Sequence, residues 1–79
     1  MQSAIIYTTP TCGYCKAAKE FFTEHNVDYT EKNVATDPHA REEMIKKSGQ
    51  LGVPVIEIGD KVITGFDEAA LRSALSIDS

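Results

Sequence analysis

Two cysteines stand three positions apart in this 79-residue chain, in the run Cys12–Cys15 with the sequence CGYC, and the chain contains no others. A disulfide between them would close so short a loop that it would constrain the unfolded chain only weakly, so the pair is poorly placed as a structural crosslink. A mixed disulfide formed at one of these thiols would instead lie within reach of the other. The residue type and the spacing therefore indicate thiol–disulfide exchange.

The pair lies where a predicted strand passes into a predicted helix. Free backbone N–H groups and the positive end of the helix dipole stabilise an anion at a helix N-terminus. This position favours Cys12 as the attacking thiolate. Cys15 follows one helical turn later on the same face, so its expected role is to resolve the mixed disulfide that Cys12 forms with a substrate.

A metal site is the main alternative, because zinc proteins also use the CxxC pattern. Zinc needs four ligands, and the other candidates, His25 and His39, do not follow the usual His-x₃₋₅-His spacing. Two buried, inert thiols are a second alternative, but such thiols have no reason to fall together at a strand-to-helix junction. No metal is therefore expected, and the redox pair is the favoured interpretation.

Seven elements are predicted around the cysteine pair, in the order βαβαββα. The predicted strands are Ala4–Thr8, Val27–Val34, Val53–Ile58 and Lys61–Thr64; the predicted helices are Cys15–His25, Arg41–Ser48 after an Asp37-Pro38 start and before Gly49, and a last helix with Leu71, Ala74 and Leu75 after Asp67. The apolar alternation of the second strand is interrupted at Glu31 and Asn33. Gly59-Asp60 predicts a tight hairpin. Two βα units followed by a hairpin imply an α/β fold with a four-stranded mixed sheet flanked by three helices.

Length and charge exclude several classes of protein. Residues 1–79 leave room for one domain only. The net charge of −4 has the wrong sign for a protein that binds a phosphate backbone, so no nucleic-acid partner is expected. Apolar runs are short and Met1–Ala4 does not begin a signal peptide, which predicts a cytoplasmic protein without a membrane partner.

Three motifs together resemble the glutaredoxin family, in particular the small glutaredoxin-like redoxins of prokaryotes. They are Tyr7–Cys15 with the sequence YTTPTCGYC, Gly52–Pro54 with GVP, and Thr64–Asp67 with TGFD. The resemblance spans nearly the whole chain and implies a thioredoxin-like fold. It also implies disulfide exchange in which glutathione is the usual electron donor.

The family's site residues are carried over to matching positions of this chain. The resemblance implies that Cys12 is the nucleophile and Cys15 the resolving thiol. It also implies that Tyr14 lies beside bound glutathione, that Val53-Pro54 forms a cis-proline turn whose main chain pairs with glutathione, and that Phe66 belongs to the same binding surface. Asp67 is then expected at the γ-glutamyl amino group and Arg41 at the glycine carboxylate. Read without the resemblance, Tyr14 is an exposed aromatic residue, Pro54 an ordinary trans proline, Asp67 a helix cap and Arg41 a solvated helix residue.

The chain departs from the commoner family pattern at two positions. Gly13 stands where many members have proline, and Thr9 stands where many have lysine. The resemblance implies a monomeric dithiol oxidoreductase that reduces protein disulfides or glutathione mixed disulfides, with glutathione as co-substrate and no permanently bound cofactor. Two alternatives stay open: a redoxin recharged by thioredoxin reductase, of the kind that serves ribonucleotide reductase and also carries Gly65-Phe66, and a non-enzymatic carrier of an iron–sulfur cluster bridged between two subunits.

Overall fold

Four strands and three helices follow each other in the predicted order. The computed structural model describes residues 3–50 and 52–75. The elements are β1 (Ala4–Thr8), α1 (Gly13–Glu24), β2 (Tyr29–Asn33), α2 (Pro38–Ser48), β3 (Val55–Ile58), β4 (Lys61–Thr64) and α3 (Glu68–Leu75). The strands form one sheet in the order β2-β1-β3-β4. Since β1 runs parallel to β2 and antiparallel to β3, the predicted mixed sheet is confirmed.

Several of the predicted start and stop signals are confirmed by their hydrogen bonds. The Asp37 carboxylate accepts the backbone N–H groups of His39 and Ala40, at 3.0 and 3.2 Å, and so caps the start of α2. Gly49 ends this helix in the left-handed conformation, with a φ of 72° that glycine adopts without a side-chain clash. At α3, the Asp67 carboxylate accepts the backbone N–H of Ala70 at 3.2 Å.

Three predicted elements have wrong boundaries, each for a local reason. The first helix begins at Gly13 rather than Cys15, because Cys12 serves as its N-cap. The second strand is shorter than Val27–Val34 at both ends: the Val27 N–H is used to close α1, bonding to the Phe22 carbonyl at 2.8 Å, and the Asn33 side chain turns the chain by accepting the N–H of Ala35 at 2.9 Å. The third strand begins at Val55 rather than Val53, since the proline before it has no N–H to donate.

Alternate side chains of the strands face opposite sides of the sheet and form two apolar clusters. On one side, Ile6 of β1 packs in a cluster with α1 and α3, which includes Phe22 and Leu71. On the other side, Tyr7 packs with Ala40 and Met44 of α2. The cysteine helix and α2 therefore lie on opposite faces of the sheet.

The helices of residues 3–50 and 52–75 are all too short or too polar to cross a membrane.

Candidate active site

The first cysteine lies at the N-terminus of α1, as the sequence predicts. Cys12 has the extended backbone typical of an N-cap residue, with φ −87° and ψ 114°. Its Sγ accepts a hydrogen bond from the backbone N–H of Cys15 at 3.2 Å, and its own N–H donates to the carbonyl of Thr9 at 3.3 Å. A negative charge on this sulfur would thus meet a backbone donor and the positive end of the helix dipole.

The two thiols differ in exposure. Both are free, but Cys12 is partly exposed whereas Cys15 is 1% exposed. Burial raises the pKa of the Cys15 thiol to about 12, and its hydrogen bond with Cys12 acts in the same direction. A substrate can therefore reach Cys12 first, while Cys15 keeps its proton at neutral pH.

The cysteine loop lies between two neighbouring strands. On one side, the antiparallel register pairs Tyr7 with Val55, so the Val53-Pro54 turn lies beside the end of β1. On the other side, β2 runs parallel to β1 and ends at Asn33. Different groups thus approach the cysteines from the β3 side and from the β2 side.

On the β3 side, the structure brings together the proline turn and the loop before α3. The Val53–Pro54 peptide bond is cis, as the resemblance implies, so the trans alternative is wrong. The N–H of Gly65 donates to the carbonyl of Pro54 at 2.8 Å, which joins the TGFD loop to this turn. Phe66 is partly buried with its ring 6.1 Å from that of Phe21, and Asp67 follows it, exposed at the start of α3.

The other two candidate residues are exposed and belong to two different helices. Tyr14 is 69% exposed in the first turn of α1. Arg41 is exposed in the first turn of α2, a helix that packs on the face opposite to α1. Within residues 3–50 and 52–75, Arg41 takes part in no ion pair.

On the β2 side, an open cleft of about 450 Å³ contains residues that the sequence analysis did not assign to the site. Its lining is Thr9, Pro10, Thr11, Cys12, Gly13, Cys15, Lys16, Lys19, Glu31 and Asn33. Lys19 pairs with Glu31 at 3.0 Å, and the buried Thr8 hydroxyl donates to the same Glu31 oxygen at 2.7 Å. The one available signal in the sequence was the interrupted alternation of β2 at Glu31 and Asn33.

The histidines do not join the cysteines. The ring of His25 lies 4.4 Å from that of Phe21, and His39 lies on α2, across the sheet from α1. Among the residues that the structure describes, no group of three or more His, Cys, Asp or Glu side chains is arranged to hold a metal ion.

Comparisons with known proteins agree with this geometry. The family model for Glutaredoxin matches residues 4–63. A glutaredoxin-like 8.6 kDa protein from the rubredoxin operon of Clostridium pasteurianum is 48% identical over 66 residues, covering 84% of this chain and 88% of that protein. Glutaredoxin 3 of Escherichia coli is 40% identical over 68 residues, covering 86% of this chain and 82% of that protein.

The structural comparison shows the fold directly. The crystal structure of a mutant thioredoxin-like protein superimposes with a TM-score of 0.90 at 31% identity, covering 99% of this chain and all of that one. The thioredoxin-like fold implied by the sequence is thereby confirmed. With the family match over three quarters of its length, the chain belongs to the glutaredoxin family and is a glutaredoxin-like thiol redox protein.

Proposed function

We propose that this protein is a dithiol oxidoreductase in which Cys12 is the nucleophile and Cys15 the resolving thiol. The contrast between the two sulfurs carries the proposal. Cys12 is partly exposed and its Sγ accepts a backbone N–H at 3.2 Å, whereas Cys15 is buried one turn further along the same helix. An accessible, stabilised nucleophile beside a protected second thiol suits a reaction in two steps.

In the first step, Cys12 Sγ attacks one sulfur of a protein disulfide or of a glutathione mixed disulfide. A mixed disulfide forms, and the second sulfur of the substrate leaves with the electron pair and takes a proton from water. In the second step, the Cys15 thiolate attacks Cys12 Sγ, closing the Cys12–Cys15 disulfide and releasing the remaining substrate sulfur. A second thiol from solution, such as glutathione, replaces Cys15 when the substrate is a glutathione mixed disulfide.

Glutathione is proposed as the electron donor because the site offers groups that suit the backbone and the amino group of this zwitterionic tripeptide. The main chain of Val53 can pair with the glutathione backbone as an added strand does. The exposed Asp67 carboxylate suits the amino group, and Tyr14 offers an exposed ring beside the nucleophile. Arg41 is assigned to the glycine carboxylate on the resemblance alone.

Exchange assays on single-cysteine variants test the assignment of the two thiols. We expect Cys12→Ser to lose all exchange. Cys15→Ser should lose the reduction of protein disulfides but keep the removal of glutathione from mixed disulfides, since that route needs only the attacking thiol. Thermal unfolding of both variants establishes that they fold, and exchange retained by a folded Cys12→Ser protein would contradict the proposal.

A donor swap tests the role of glutathione. One protein disulfide is reduced with glutathione plus glutathione reductase, and then with thioredoxin reductase, at equal concentrations of this protein. We expect turnover with glutathione. Turnover with thioredoxin reductase but not with glutathione would make thioredoxin reductase the electron donor. Thr9, at the position where many family members have lysine, would agree with that result.

The expected setting is the cytoplasm, where thiols are kept reduced. The protein is proposed to act there as a monomer.

A further inference from the structure

The Glu31 side chain is anchored beside the cysteine helix in a way that the exchange reaction above leaves unexplained. Strand β2 should present apolar side chains to α1, and Tyr29 does so. Two positions on, Glu31 lies on the same face, in register with Ile6 of β1. Its carboxylate accepts the hydroxyl of Thr8, which is 1% exposed, at 2.7 Å.

The anchored carboxylate in turn holds Lys19. The Lys19 Nζ lies 3.0 Å from the same Glu31 oxygen, and the side chains of Lys19 and Glu31 are 32% and 39% exposed. Lys19 stands four residues after Cys15 in α1, and side chains at this spacing are neighbours on one helix face, with about 5–6 Å between their Cβ atoms. Both residues line the cleft on the β2 side.

The charged and titratable groups that line the cleft together with Cys15 come from three parts of the chain. Lys16 and Lys19 come from α1, Glu31 comes from β2, and Cys12 comes from the loop before the helix. The end of β1 and the Val53-Pro54 turn contribute no charged side chain. Burial and the hydrogen bond with Cys12 raise the pKa of Cys15, while the backbone hydrogen bond with Thr9 and, after it, the charge of Lys19 lower it.

We propose that Lys19 is the cation that stabilises the Cys15 thiolate during the resolving step, and that Glu31, fixed by Thr8, is a positioning residue that holds the Lys19 ammonium group in the cleft. This inference rests on the dithiol function proposed above. In the step itself, Cys15 loses its proton to water in the open cleft. Its Sγ then attacks Cys12 Sγ of the mixed disulfide, the Cys12–Cys15 bond forms, and the substrate thiolate leaves with the electron pair and takes a proton from water.

Glu31 is an anchor and not the proton acceptor. The Thr8 hydroxyl, and after it Lys19, hold the pKa of the Glu31 carboxyl below its ordinary value. A carboxylate that is so weakly basic is poorly matched to a thiol with a raised pKa. Glu31 in turn raises the pKa of Lys19, so the ammonium keeps its charge over the working pH range.

The chain provides a matched control on the other face of the sheet. Lys32 and Glu43 pair at 2.9 Å, with side chains 33% and 47% exposed, so this pair resembles Lys19–Glu31 in length and exposure. It lies against the Tyr7 ring on the α2 face, away from the cysteine helix. Its loss should affect the general surface charge in the same way without affecting Cys15.

The two chemical steps can be followed separately with Ellman's reagent in a stopped-flow experiment. The first release of thionitrobenzoate reports attack by Cys12, and the second reports resolution by Cys15. We expect Lys19→Met to slow only the second release, by about 3–10-fold near neutral pH, as for the loss of one screened charge at this spacing. Lys19→Arg should restore the rate, Glu31→Ala should give a smaller loss, and Lys32→Met should match the wild type.

Two further readouts separate an electrostatic role from a structural one. The pH dependence of the second-release rate should shift to higher pH in Lys19→Met. The difference in this rate between Lys19→Met and wild type should also shrink in strong salt, since the Debye length falls from about 30 Å at 0.01 M to about 3 Å at 1 M. Equal second-release rates in Lys19→Met and wild type would overturn the proposal. So would a loss that salt does not reduce, or equal slowing of both releases.

Failure of the underlying function looks different. If Cys15→Ser still gave the second release, or folded Cys12→Ser still gave the first at the wild-type rate, the roles of the cysteines would be wrong whatever Lys19 does.

Discussion

Asp67 combines an observed role as a helix cap with a proposed role in glutathione binding, and two substitutions separate them. Its carboxylate accepts the N–H of Ala70 at 3.2 Å. Asparagine caps a helix about as well as aspartate but has no charge, whereas alanine lacks both properties. Asp67→Asn therefore removes only the charge that would hold the glutathione amino group, and Asp67→Ala removes the cap as well.

The expected magnitudes follow from the exposure of this residue. Loss of the cap in Asp67→Ala should cost about 1 kcal/mol of unfolding free energy, or about 4–8 °C in Tm for a chain of this size, while Asp67→Asn should unfold like the wild type. Because Asp67 is exposed, its contact with the ammonium group is screened and contributes about 0.5–1 kcal/mol. Both variants should therefore lose about 2–5-fold in kcat/KM with glutathione.

The assay compares two reductants on one substrate. Reduction of a mixed disulfide is followed with glutathione and then with a small dithiol, and Tm is measured for each variant. We expect both variants to lose activity with glutathione and neither to lose it with the dithiol, since the cysteines are unchanged. If Asp67→Asn matched the wild type with glutathione, or if the two reductants were affected equally, Asp67 would be a helix cap only.

Three further predictions concern the electron donor and the stability in acid. Arg41→Ala should weaken glutathione-dependent turnover less than Asp67→Ala does, and Thr9→Lys should strengthen it by adding a cation beside the thiols. Steady-state kinetics with glutathione and with a dithiol measure both effects. Unchanged kinetics in Thr9→Lys would count against glutathione as the electron donor. The folded-state pKa of Glu31 lies below its ordinary value of 4.5, so its contribution to stability is present above that pH and is lost as the pH falls through the folded pKa. Urea unfolding should show a weaker loss of stability below about pH 4.5 in Glu31→Gln than in the wild type, and identical acid limbs would refute this.

Elements bounded by strong local signals were predictable from the sequence. Asp37, Pro38 and Gly49 supply a cap, a first-turn proline and a left-handed terminus, and the structure uses all three at α2. The start of α1 was placed two residues too late because a cysteine sulfur is not among the usual capping groups, yet Cys12 Sγ accepts the capping hydrogen bond. Local chemistry thus fixes most boundaries, and an unusual cap displaces one.

The candidate site was only partly predictable, because one side of it is formed by residues that are far apart in the sequence and meet only through strand pairing. The cysteine pair and the proline turn carry recognisable motifs. The cleft on the β2 side carries no such motif. It joins Lys19 of a helix to Glu31 of an edge strand and to Thr8 of an interior strand, and only the parallel register brings them together. The interruption at Glu31 marked an anomaly in the sequence but could not name its partners.

The roles of nucleophile and resolving thiol require different chemical states of Cys12 and Cys15, and alkylation of single-cysteine variants tests this difference most directly. Cys15→Ser leaves only Cys12, and Cys12→Ser leaves only Cys15. Iodoacetamide modification of each reduced protein is followed by mass spectrometry across a range of pH, under conditions where the fold persists. We predict rapid modification of Cys12 at neutral pH and much slower modification of Cys15, rising only at alkaline pH, because burial, the largest cause of the raised pKa of Cys15, persists when Cys12 is replaced. Equal rates with the same pH dependence at both positions would contradict the assignment of nucleophile and resolving thiol.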